Sequence, residues 1–164
     1  MKRILPLSVL AASAVLLSAC GFTPIYGQTG EGAIGGQLAQ IAVSTPDDRL
    51  GYRLREQLED AFGRNPSLPV QYRLQTEVEQ SRLPLGRRID DTATRYQLTV
   101  TAKWSLTPVA GGEPLKGERT TTTTYASADQ PYAAIAAQQD GEDRAAADLA
   151  RLIRMDLMRV LAAR

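Results

Sequence analysis

The chain of 164 residues carries 19 basic and 18 acidic residues, one cysteine, one tryptophan and no histidine. That inventory excludes Ser-His-Asp and Cys-His catalysis, ordinary zinc sites built from Cys and His, and any disulfide within the chain. A charge so close to balance gives no general electrostatic reason to bind nucleic acid.

Lys2 and Arg3 open a run from Ile4 to Leu17 that is interrupted only by Pro6, Ser8 and Ser13. Roughly 20 apolar residues are needed to cross a bilayer, so this run is too short for a spanning helix and reads as the middle of a secretory signal. Its end, Leu17-Ser18-Ala19-Cys20, resembles the lipobox of bacterial lipoproteins. That resemblance implies a signal peptide over residues 1–19 that is removed, S-diacylglycerol on the Cys20 thiol and N-palmitoyl on its new amino group. Two or three acyl chains anchor a protein stably where one does so only marginally. Gly21, in place of an Asp at that position, implies sorting to the outer membrane. Cutting before Cys20 leaves 145 residues with 17 basic and 18 acidic side chains, enough for one domain with a core.

Residues 20–36 are glycine-rich and read as a lipidated flexible tether, with Phe22, Ile25 and Tyr26 too apolar for a pure spacer. Residues 37–164 read as a single domain. Leu38, Ile41 and Val43 mark a first strand. Thr45-Pro46-Asp47-Asp48 reads as a helix start with Thr45 as N-cap, followed by the stripe Leu50, Leu54, Leu58 and Phe62 and a terminal Gly63. Val70 to Val78 alternates as a second strand, then Arg82, Pro84, Gly86, Arg87, Arg88, Asp90 and Asp91 form a polar, basic connection. Tyr96, Leu98, Val100, Ala102, Trp104 and Leu106 alternate with Gln97, Thr99, Thr101, Lys103 and Ser105, the clearest strand of all. Glu118 to Tyr125, with five consecutive threonines, pairs with it as the last strand. From Pro131 onward Leu149, Ile153, Leu157 and Val160 make a helical stripe, and the charges around it read as a solvated face. Gly141 is a weak point there, costing about 1 kcal/mol relative to Ala if interior.

The order β-α-β-β-β-α predicts an α+β two-layer sandwich: a four-stranded, mostly antiparallel sheet with two helices packed on one face. The other face should be polar and rich in Thr, Gln and Arg. Glu77, Glu79, Asp90 and Asp91 are the candidates for paired-carboxylate chemistry, and no phosphate-binding loop is present. The reading is therefore not an enzyme, with no cofactor and no metal.

The lipobox with Cys20-Gly21-Phe22-Thr23-Pro24-Ile25-Tyr26-Gly27, Arg49 to Leu58, Asp91-Thr92-Ala93-Thr94-Arg95-Tyr96, and Tyr132 with Arg144 to Leu161 together resemble the LPS-assembly lipoprotein (LptE) family in its alphaproteobacterial form. The resemblance implies a subunit that plugs an LptD-type outer-membrane β-barrel, helps it assemble and aids delivery of lipopolysaccharide (LPS) to the outer leaflet. It implies a lipid-anchored location on the periplasmic side of the outer membrane and in the barrel lumen, with the barrel and LPS as partners. An unrelated outer-membrane lipoprotein, acting as a periplasmic binding module or envelope chaperone, is the alternative. Arginine forks suit lipid A phosphates, so Arg82, Arg87, Arg88 and Arg95 are the candidates for LPS or barrel contact. The competing reading is that they are loop charges kept for solubility, two of them neutralised by Asp90 and Asp91.

Overall fold

The computed structural model describes residues 35–87, 93–126 and 130–163. Six elements follow one another: β1 (Ile41–Ser44), α1 (Arg49–Phe62), β2 (Tyr72–Arg87), β3 (Ala93–Pro108), β4 (Leu115–Ala126) and α2 (Pro131–Ala162). This is the expected order, preceded by a helical turn at residues 35–38 that takes in the last two residues of the expected tether. The strands form one open sheet in the order β1-β2-β3-β4. β1 runs parallel to β2, Ile41 opposite Tyr72, with α1 as the crossover that parallel neighbours require. The other pairs are antiparallel, so that Leu74, Leu106 and Leu115 lie in one row.

The period-two pattern of β3 divides the faces. Leu98, Val100, Ala102, Trp104 and Leu106 are buried, while their neighbours from Gln97 to Thr107 are half-buried or exposed. Both helices pack on the Leu98 face. Leu50, Leu54, Leu58 and Phe62 of α1 share one core with Leu149, Ile153, Leu157 and Leu161 of α2. Each such fully buried side chain contributes about 1.5–3 kcal/mol. The opposite face is polar, as its composition predicted. Thr101 and Thr120 share a hydrogen bond of 2.9 Å across β3 and β4, and Lys103 donates to Glu79 Oε1 at 2.9 Å.

Trp104 lies across Gly117, its neighbour on β4. A Cβ on Gly117 would come 2.5 Å from the indole Cε2 and 2.9 Å from Nε1. The glycine is the space in which the ring sits.

Three local expectations are corrected. The N-cap of α1 is Asp48, not Thr45: its Oδ1 accepts from the Gly51 amide at 2.6 Å. The chain folds back over itself before the helix, so closely that a Cβ on Gly51 would overlap the Pro46 carbonyl. Gly63 does close the helix in the left-handed conformation, φ 60°, with its amide and that of Arg64 turned back to Asp60 and Glu59. Second, the basic connection is strand as far as Arg87, because β3 is long enough to supply ladder partners down to Ala93. Pro84 is tolerated there because β1 covers β2 only as far as Gln75, which leaves the proline on an outer edge. Third, two of the α2 charges are not solvated. Glu142 and Asp156 are buried, paired with Arg49 of α1 and Arg119 of β4 respectively.

Candidate functional site

The β2–β3 hairpin and the start of α2 reach the same end of the domain. No residue from 131 to 140 is buried, and Tyr132 is 89% exposed. Alternation along β2 puts Arg82 on the helix side of the sheet, opposite Leu98. Its guanidinium lies over the Tyr96 ring, 5.1 Å from the centroid. Nη1 donates to the Tyr125 hydroxyl at 3.3 Å and to Gln138 Oε1 at 3.0 Å. Tyr96 and Tyr125, cross-strand partners, stack with centroids 5.5 Å apart at 27°. The hydrogen bond to Tyr125, then the field of its ring oxygen, raise the Arg82 pKa above that of a free guanidinium. A cation whose folded pKa is raised loses its contribution only as pH climbs through that value. Arg82 therefore stays charged at every physiological pH.

Gln138 passes the polar chain onward. Its Nε2 donates to Glu142 Oε1 at 2.9 Å, and Arg49 Nη1 donates to Glu142 Oε2 at 2.6 Å. Arg49 Nη2 and Arg53 Nε reach Asp143 Oδ1 at 3.1 and 3.3 Å. One network thus ties the hairpin to both helices. Glu142→Ala removes the acceptor for both Arg49 and Gln138, and is expected to cost about 2 kcal/mol. The urea midpoint should fall with an unchanged m-value, and an unchanged midpoint would show that the network carries no stability.

Gly141 is explained here. A Cβ would stand 3.0 Å from Tyr125 Cδ1, and Thr123 Oγ1 donates to the Gly141 carbonyl at 3.1 Å. The missing side chain lets α2 rest on the tyrosine that holds Arg82.

Arg95 is exposed on the other face of the sheet, opposite Leu85. The structure brings Arg82 together with Tyr96, Tyr125 and Gln138, and does not bring it together with Arg95. The backbone of Arg87 pairs with Ala93. The Arg87 side chain, Arg88 and Cys20 lie outside the described residues. Reading Arg82 as part of a strand would have shown which face it shares with Tyr96, and the glycine at 141 was the signal for the tyrosine beneath it. The arrangement offers a fixed guanidinium on an aromatic platform, suited to hydrogen-bond recognition. Among the described residues no cluster of His, Cys, Asp or Glu could hold a metal ion, and no helix is long and apolar enough to cross a membrane.

A family model described as LptE, lipopolysaccharide-assembly, matches residues 38–157. A solved structure of a Caulobacter crescentus CB15 protein described as a lipoprotein is 42% identical, with a TM-score of 0.69 over 80% of this chain and 96% of that one. Lipoprotein B from Nitrosomonas europaea is 15% identical, with a TM-score of 0.52 over 75% of this chain and 84% of that one, a likeness of fold. No curated protein matches.

Proposed function

Because the chain belongs to the LptE family of lipopolysaccharide-assembly proteins, we propose that it is a non-catalytic, lipid-anchored subunit of the outer-membrane LPS translocon. In this reading Cys20 carries the acyl chains and holds the domain at the periplasmic side of the outer membrane. The domain sits in the lumen of an LptD-type β-barrel, helps that barrel assemble and aids delivery of LPS to the outer leaflet.

The observation that carries the reading is the extent of the family match, which runs from just before β1 into the last turns of α2. The surface chemistry supports it. Barrel lumens are polar, and the sheet face away from the helices presents threonine, glutamine and paired charges. Arg82, Arg87, Arg88 and Arg95 are proposed as contacts to LPS phosphates or to the barrel wall, with Arg82 and Arg95 on opposite faces of the hairpin.

Purification of the tagged, acylated protein from detergent-solubilised outer membranes tests the reading directly. A large barrel protein of the LptD type should come with it in equal amount, and its absence would sink the proposal. Arg87→Glu with Arg88→Glu should weaken LPS binding at low salt by about tenfold while leaving the melting curve in place. Equal binding by the variant and the wild type would remove these two arginines from the contact.

A further inference from the structure

An open sheet has two edges, and in this one they are guarded very differently. The outer edge of β2 is covered by β1 as far as Gln75, and beyond it stand Glu77, Glu79, Arg82 and Pro84. Charges and proline are the devices by which natural sheets stop foreign strands from adding. The outer edge of β4 has neither along Thr120 to Ala126: five threonines, a tyrosine and an alanine. No strand among the described residues pairs with it.

The direction of the unused backbone groups can be read. Arg144 Nη2 donates to the carbonyl of Thr124 at 3.2 Å, so that carbonyl points away from β3. Groups two residues apart along a strand point the same way, so the amides and carbonyls of Thr122 and Thr120 also point outward. Arg144, reaching around from α2, occupies the end of the edge, and these two rungs have no partner among the described residues. The side chains there are hydroxyls on both faces: Thr120, Thr122 and Thr124 on the polar face, Thr121 and Thr123 toward α2. Uncharged seven-residue segments of high β-propensity pair readily with another strand.

We propose that this edge, Thr120 to Thr122, takes an extended segment of the barrel partner as a fifth strand. Backbone rungs would supply the affinity, as in other strand additions. The occupant is a polar, uncharged segment, because the edge offers hydroxyls on both sides and no charge to select one. The inference rests on the barrel reading above and names the contact within it.

The test is Thr122→Pro in the full-length acylated chain. Proline at an outward-pointing rung removes an amide that the β3 ladder does not use, so the domain should melt as the wild type does. The amount of identified barrel that co-purifies should fall about tenfold or more. Undiminished co-purification of the barrel by the variant would overturn the edge contact and leave the family reading standing. Failure of the wild type to bring down any barrel would sink both. Should Thr122→Pro lose its cooperative melt, amide exchange in the wild-type complex decides the matter. Thr120 and Thr122 amides slowed at least tenfold relative to the isolated domain support the added strand, and equal exchange refutes it. A Thr122→Cys variant that cross-links to a second copy of itself in preference to the barrel would likewise overturn the proposal.

Discussion

Gly117→Val is expected to unfold the domain far more easily than any surface change. Two effects oppose each other at that position. Valine favours a strand over glycine by up to about 1 kcal/mol. Against this, its Cβ would come 2.5 Å from the Trp104 indole Cε2, and the ring, 4% exposed, is part of the buried core. Forcing atoms into a packed core costs about 1–3 kcal/mol per site, and more where a rigid ring cannot turn aside. The clash wins, and a net loss of about 3 kcal/mol is a large share of the 5–15 kcal/mol that holds a typical domain. The melting temperature should drop by about 10 °C. Because Trp104 is the sole tryptophan, its emission reports on the same site, and it should shift to the red in the variant. A Gly117→Val protein with wild-type melting and wild-type emission would show that the ring does not lie where the structure places it. Trp104→Leu in the same chain should recover part of the loss.

Cys20→Ser is expected to abolish acylation and leave an unprocessed, mislocalised precursor. The oxygen of serine does not replace the thiolate that forms the thioether, so neither diacylglycerol addition nor the cut that follows it should take place. The product is a precursor still carrying residues 1–19. Each buried methylene of an acyl chain contributes about 0.8 kcal/mol to membrane binding. Losing all the chains removes that contribution. Labelling with radioactive palmitate should be lost and the chain should leave the outer-membrane fraction. A Cys20→Ser protein that still takes up palmitate would refute the lipobox reading.

What could be read in advance, and what could not, follows a physical division. The faces of β3 and the stripe of α1 were legible because each residue reports its own burial through a fixed local period. Gly63 was legible because only a left-handed terminus calls for glycine there. Glu142 and Asp156 were not, because what buries them is an arginine on another element, and no local pattern on α2 records Arg49 or Arg119. The true length of β2 was hidden by Pro84, a residue that argues against a strand unless its outer neighbour is known to be missing. The pairing of Arg82 with Tyr96 was hidden for the same reason. Once that stretch was taken as a connection, the alternation that assigns its faces was never applied to it.

The four-rung ladder of β1 has a mechanical consequence. Among the described residues, the segment ahead of β1 is held by buried Leu38, by the carbonyls of Ala39 and Gln40, which accept from Asn65 and Gln71, and then by the pairs from Ile41–Tyr72 to Ser44–Gln75. The β2–β3 ladder is several times longer. Tension applied to the chain at its first described residue is therefore borne by the shortest seam among the described strands. That seam should yield first and detach β1, while the three-stranded meander under α2 keeps its shape.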